Sequence, residues 1–310
     1  MIRRMPPVDL AALPARPLTR FAPSPTGYLH LGHVANAVWV WGLARAVGGR
    51  VLLRLEDHDR IRSRPEYETA LLEDLEWLGL EPDLGTIGEL RAGPSRYRQS
   101  DAGPEYVAAL DRLLAEGRVF ACECSRRDLA RAEGDVANEE TRYAGRCRNL
   151  GLAAGPGRGL RVRVDPGPER YEDARLGPGE QDPCVQCGDF LVRDRLGQWT
   201  YQFAVVVDDL RHGVDLVIRG EDLLESTGRQ LLIRRMLGTG VTPVFVHHPL
   251  LRHPGGAKLS KSNRDTGIRE LRAAGDSPAD VLGRAAWLTG LLRDPVRVRP
   301  AELANLFTAR

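Results

Sequence analysis

Two histidines in the run His30-Leu31-Gly32-His33 and two lysines in the run Lys258-Leu259-Ser260-Lys261-Ser262 are the residues whose types and spacing point to chemistry. These lysines are the only two in the chain: Lys and Arg total 44, which leaves 42 arginines. A compact ammonium on a flexible stem swings onto a phosphate oxygen, and a planar guanidinium fork does not replace it. The lysine run therefore reads as a phosphate-handling loop. The imidazoles stand where a helical pattern begins, and a helix start offers backbone N–H groups and the positive end of its dipole to an anion. Gly32, without a Cβ, lets the backbone approach a ligand closely. Together the two segments, His30, Gly32 and His33 with Lys258 and Lys261, suit a single phosphate site. Other phosphate patterns fail. Gly155-Pro156-Gly157-Arg158-Gly159 has the wrong spacing for a dinucleotide loop, and Ala257 and Leu259 around Lys258 exclude a Walker loop.

The elements that would position these groups alternate. An extended segment at Leu18–Ala22 precedes the loop Pro23-Ser24-Pro25-Thr26-Gly27 and a helix from about His33 to Val47, closed by Gly48-Gly49. Arg50–Glu56 reads as a buried strand. A helix from Pro65 to Leu78 follows, with proline first and apolar residues at Leu71, Leu72, Leu75 and Leu78. Strand, helix, strand, helix is the opening of an α/β parallel sheet. The rhythm lapses between about 95 and 190, where a helix at Pro104–Glu116, the cysteines and a Gly/Pro-rich stretch read as an inserted subdomain. It resumes with an expected strand at Thr200–Val207 ending in Asp208-Asp209. A strand at Val214–Arg219, a helix at Ser226–Leu237 and a strand at Val244–Leu251 complete the pattern. The acids Asp208, Asp209, Glu221 and Asp222 are read as strand-end residues and receive no role.

Composition sets the class. Hydrophobic residues make up 42% and charged residues 28% of 310, which describes a globular chain with a sizeable core. The net charge of +2 neither requires nor excludes a nucleic acid partner. No apolar run is long enough for a membrane span or a signal peptide. Five cysteines, an odd number with no secretion signal, argue for the cytoplasm, with the thiols reduced or bound to metal.

The His30–His33 run resembles the HIGH signature, and the Lys258–Ser262 run the KMSKS signature, of class I aminoacyl-tRNA synthetases. The segments Arg20-Phe21-Ala22-Pro23-Ser24-Pro25-Thr26-Gly27, Leu53-Arg54-Leu55-Glu56-Asp57 and Val217-Ile218-Arg219-Gly220-Glu221-Asp222 resemble the glutamyl branch. The likeness runs from about Thr19 to Ile268. Only 49 residues follow Lys261, too few for the anticodon-reading region of a full glutamyl enzyme. The resemblance is thus to the truncated, zinc-containing glutamyl paralogues that attach glutamate to the queuosine base of tRNA(Asp).

That resemblance implies a Rossmann-like catalytic domain at 19–95 and 190–262 after a leader at 1–18. It also implies an inserted acceptor and zinc-binding subdomain at 96–189 and a short helical region at 263–310. The implied activity is ATP-dependent, tRNA-independent formation of glutamyl-adenylate, with transfer to queuosine at the wobble position; charging of a tRNA 3′ end is the alternative. His30, His33, Lys258 and Lys261 would be catalytic. Arg20, Phe21, Ala22, Pro23, Ser24, Glu56, Tyr201 and Arg219 would bind L-glutamate, with Arg219 and Tyr201 at its side-chain carboxylate and Glu56 at its ammonium. Mg²⁺ would accompany ATP. Cys122, Cys124, Tyr143 and Cys147 would hold one structural Zn²⁺. Chemistry alone would draw the fourth ligand from Cys184-Val185-Gln186-Cys187, whose spacing permits a Cys₄ site or a redox-sensitive pair. A monomer is the expectation.

Overall fold

The computed structural model describes residues 7–125, 127–128, 142–238, 241–251 and 267–308. Lys258 and Lys261 lie outside the described residues.

Strand β1 (Leu18–Phe21) is buried along its whole length and pairs in parallel with β2 (Arg50–Leu53), Leu18 opposite Arg50 and Phe21 opposite Leu53. Parallel neighbours need a crossover, and helix α1 (Leu31–Ala46) provides it. That helix is apolar nearly all round, from Val34 to Ala44, because it is covered on every side. Gly48, in the left-handed region at φ 69°, turns the chain back into β2. Helix α2 (Pro65–Leu78) has proline in its first turn, as the sequence pattern predicts, and ends on the left-handed Gly79. Strand β8 (Leu216–Gly220) pairs in parallel with β9 (Val244–His248), and helix α5 (Thr227–Met236) makes their crossover. The two strand pairs meet through β1 and β8: the Leu18 N–H donates to the Asp215 carboxylate at 2.7 Å, and the Asp215 N–H donates to the Leu18 carbonyl.

Between these pairs, helix α3 (Gly103–Ala115) leads into an antiparallel sheet of β3 (Val119–Cys122), β4 (Gly159–Val162) and β7 (Leu191–Arg193). A small hairpin, β5 (Glu169–Tyr171) with β6 (Gly179–Gln181), lies between β4 and β7 in the chain. One apolar core surrounds α1, α2 and the sheet edge; a second packs α3 and β4 against helix α4 (Tyr201–His212).

Helix α4 overturns one expectation. Thr200–Val207 is not a strand, and Asp208 and Asp209 sit within a helix. A short apolar run rich in valine does not distinguish the two states. In the fold, Thr200 precedes the helix in extended conformation and Gly213 closes it at φ 72°, leaving room for 12 residues. Strand β2 is also shorter than expected, stopping at Leu53, although Leu55 still bridges Arg98. Among the described residues no helix is long and apolar enough to cross a membrane.

The chain after the sheet packs closely on α1. In helix α6 (Pro278–Leu288), a Cβ built on the buried Gly283 would lie 1.7 Å from the carbonyl oxygen of Val296. Gly283→Ala should therefore lower stability by about 2 kcal/mol or more through forced backbone movement. Urea unfolding checks this as a lower midpoint at an unchanged slope. Gly88→Ala, at an exposed helical site with open space around it, should be neutral or stabilising by up to about 1 kcal/mol.

Candidate active site

A cavity of about 460 Å³ opens at the carboxyl ends of β1, β8 and β9 and at the first residue of α4. Its wall includes Arg20, Phe21, Ala22, Pro23, Ser24, His30, Gly32, His33, Glu56, Tyr201 and Arg219. Every residue expected to touch the amino acid or the nucleotide therefore shares one cavity, the two lysines excepted. Ligands of open parallel sheets lie at this end of the strands.

The two histidines cap α1. His30 is the N-cap residue; its Nδ1 accepts the Gly32 N–H at 3.0 Å, while its own backbone N–H donates to His33 Nδ1 at 3.1 Å. Both Nδ1 atoms are acceptors, so in each neutral ring the proton is on Nε2, and Nε2–H is the donor that the ring presents. This corrects the expectation that the helix start offers free amides: the Gly32 N–H belongs to the cap. Gly32 is also needed for another reason than close ligand approach, since a Cβ there would lie 2.8 Å from the His30 ring.

Beneath the cavity lies a buried ion network. Arg54, fully buried, donates from Nη1 to Asp209 Oδ1 at 2.7 Å and from Nη2 to Glu56 Oε1 at 2.9 Å, with Asp208 Oδ2 at 3.7 Å from Nε. Burial works against its charge, but Asp209, Asp208 and Glu56 outweigh burial and hold the guanidinium protonated. Arg20 donates from Nε to both oxygens of Asp209, each at 3.2 Å, and from Nη1 to the Ile218 carbonyl at 3.4 Å. Asp208 accepts from Gln99, Tyr106 and Arg211. Burial pushes the Glu56 carboxyl above its ordinary range, against the pull of Arg54.

Arg219 is held differently. It donates from Nε to His247 Nε2 at 3.0 Å, from Nη1 to Gln230 Oε1 at 2.6 Å and from Nη2 to Thr227 Oγ1 at 2.9 Å. Its face lies over the Phe245 ring, 5.3 Å from the centroid. Among the described residues no carboxylate forms an ion pair with it, and burial lowers its pKa to about 10. A buried cation with neutral partners is incomplete, and an incoming carboxylate completes it. Tyr201, whose phenol burial and Glu56 push up, stands beside it.

His247 and His248 are both buried, and His248 lines the cavity. Its Nε2 accepts from Asn36 at 3.0 Å, its Nδ1 donates to the Pro249 carbonyl, and burial lowers its pKa to about 4. Sequence reasoning missed Arg54, Asp209, His247 and Gln230. Arg54 had a signal, being an arginine in the middle of the apolar run Val51-Leu52-Leu53-Arg54-Leu55. The Asp209 carboxylate was unreadable while its segment was taken for a strand.

Away from the cavity, Cys122, Cys124 and Cys147 are buried with their sulfurs within 4.8 Å of one another. The Tyr143 phenol lies 3.5 Å from Cys122 Sγ and accepts the Cys147 N–H at 2.7 Å. Burial favours neutral Cys122, yet hydrogen bonds from Tyr143 and Arg161 bring its thiol below the ordinary value. Three soft sulfur donors, with a phenol oxygen beside them, could hold one metal ion. Among the described residues Cys184 and Cys187 do not join the cluster; the Cys187 thiol instead donates to the Pro183 carbonyl at 3.2 Å.

The family model described as "tRNA synthetases class I (E and Q), catalytic domain" matches residues 18–293. A relative from Symbiobacterium thermophilum, named glutamyl-Q tRNA(Asp) synthetase, is 44% identical across 93% of this chain and 91% of its own length. The protein named glutamate–tRNA ligase 2 from Syntrophus aciditrophicus is 38% identical across 88% of this chain and 57% of its own length. Among solved structures, a glutamate-tRNA synthetase from Elizabethkingia anophelis superposes with a TM-score of 0.76 at 26% identity. The match covers 93% of this chain and 65% of that one.

The ion network makes a prediction of its own. Arg54→Met should cost about 3–5 kcal/mol of stability, because it leaves Glu56 and Asp209 buried without their shared cation. Arg54→Lys should recover only part of the loss, since one ammonium does not reproduce the fork. Urea midpoints of the three proteins decide it.

Proposed function

The chain belongs to the class I tRNA synthetases of the glutamate and glutamine branch, and from that premise we propose that it activates L-glutamate with ATP and transfers it to queuosine in tRNA(Asp). The observation that carries the amino acid is Arg219, a buried guanidinium whose protein partners are neutral. The observation that carries the acceptor is the match to a glutamyl-Q tRNA(Asp) synthetase over nine-tenths of both chains.

The α-carboxylate of glutamate attacks the α-phosphorus of ATP, the mixed anhydride forms, and pyrophosphate leaves. A hydroxyl of queuosine then attacks the activated carbonyl and AMP leaves. No side chain of the enzyme needs to act as nucleophile, so catalysis rests on positioning and on charge. Arg219 and Tyr201 take the side-chain carboxylate. Arg20 faces the α-carboxylate, and Glu56 receives the ammonium. Phe21, Ala22, Pro23 and Ser24 shape the loop against the substrate. His30 and His33 donate from Nε2–H to phosphate oxygens beside Gly32, and Lys261 with Lys258 neutralises the pyrophosphate. Mg²⁺ would accompany the triphosphate and offset part of its charge. Glutamine is rejected because its amide leaves the Arg219 charge uncompensated.

Cys122, Cys124, Tyr143 and Cys147 would hold a zinc ion, whose part would be structural, because four protein ligands would leave no position open for water. Metal analysis should give one zinc per chain, and Cys124→Ser should lose it, whereas Cys184→Ser should keep it. Zinc lost in the second variant instead would reassign the ligands.

The activity is tested by glutamate-dependent ATP–pyrophosphate exchange without tRNA. Lys261→Arg should slow exchange by two or more orders of magnitude, roughly 3 kcal/mol of transition-state stabilisation, with the fold intact. Exchange driven by glutamine or aspartate but not glutamate would remove the pocket assignment. Labelled glutamate should then pass to queuosine-bearing tRNA(Asp) and not to the unmodified transcript; equal labelling of both would indicate charging of the 3′ end.

A further inference from the structure

Behind Arg219, on the side away from the cavity, stands His247 with Asp173 behind it. His247 is fully buried, and its Nδ1 lies 2.6 Å from Asp173 Oδ2. Its Nε2 faces the Nε–H of Arg219 at 3.0 Å. A guanidinium only donates, so that contact exists only if Nε2 carries no proton. The ring is therefore neutral, with its proton on Nδ1 shared with Asp173.

Asp173 is fixed in turn. Its Oδ1 accepts the N–H groups of Arg175 and Leu176, each at 2.9 Å, and its Oδ2 accepts the His247 N–H at 3.2 Å. Every acceptor contact of this carboxylate favours its ionised form, although burial opposes it. The chain of contacts runs from an anion through a neutral ring to a cation, and it fixes the ring tautomer from behind.

We infer that His247, locked by Asp173, is a positioning and specificity-determining residue that orients Arg219 without neutralising it. A carboxylate in direct contact with Arg219 would orient it equally well but would cancel its charge, and the pull on a substrate carboxylate would be lost. The imidazole separates the two functions. It supplies an acceptor for Nε–H and keeps Asp173 one ring away. With Gln230 and Thr227 holding Nη1 and Nη2, three of the five N–H groups meet neutral acceptors, the neutral Tyr201 phenol stands beside the guanidinium, and its charge is left for a carboxylate. The inference rests on the glutamate reading of the cavity.

The test is ATP–pyrophosphate exchange by the full chain, varying glutamate at saturating ATP and ATP at saturating glutamate. His247→Met, which fills the space without an acceptor for Nε–H, should raise the KM for glutamate roughly tenfold or more and leave the KM for ATP within about twofold. His247→Gln, which restores an acceptor oxygen, should bring the glutamate KM back to within about threefold of wild type. An unmoved glutamate KM in His247→Met, with wild type active on glutamate, sinks this inference alone. Equal rises for both substrates would reduce the role to packing and also overturn it. Absence of glutamate-dependent exchange in the wild type removes the pocket reading and this inference with it. The wild-type protein supplies an arm independent of the variants' folding: two-bond ¹⁵N–¹H correlation should show His247 neutral and protonated on Nδ1 from pH 6 to 8. A proton on Nε2 would refute it.

Discussion

Charge taken out of water at the floor of one cavity is the constraint on which this structure depends. Arg54, Arg20, Glu56, Asp208 and Asp209 are buried together, and each is tolerable only because the others are there. The network ties together the ends of β1 and β2 and the middle of α4, three elements far apart in the chain. Arg219 lies beside it and is left out of it. Its hydrogen-bond partners are neutral and leave its charge uncompensated, so the cavity wall favours an anion.

The surrounding fold serves that demand through the direction of its strands. The loop at Ala22–Ser24 follows β1, Glu56 follows β2, Arg219 and Gly220 end β8, and His248 ends β9. Tyr201 enters from another direction, as the first residue of α4. Arg20, Arg219, Glu56 and Tyr201 thus line the same cavity as the imidazoles of the α1 cap. That arrangement suits two substrates whose reacting atoms must meet, because the rate gain is mostly orientation.

The cysteine cluster is a separate device. It joins the end of β3 to the loop at Tyr143–Cys147, with the Arg161 guanidinium 4.0 Å from the centre of the Tyr143 ring. The Arg161 guanidinium favours the thiolate of Cys122, whereas burial and the neighbouring sulfurs push the Cys124 thiol up to about 12.

Much was legible in the sequence because local rules decide it. The paired histidines, the proline opening α2, the glycines closing α1 and the motif at residues 20–27 each announce themselves over a few residues. The Cys122, Cys124, Tyr143 and Cys147 grouping was likewise readable from its motif, while the chemistry of ligand types alone favoured Cys184 and Cys187. What the tertiary structure alone decided were matters of partnership. The strand read at Thr200–Val207 is a helix because it packs between α3 and α5, and a valine-rich run takes its conformation from such surroundings. Which arginines are neutralised, by Asp209 on one side, and which is left charged, with His247 and Asp173 behind it, depends on residues up to 189 positions apart meeting in a medium where charge is costly. No local pattern encodes that meeting, since the energy belongs to the pair and its burial and to neither residue alone.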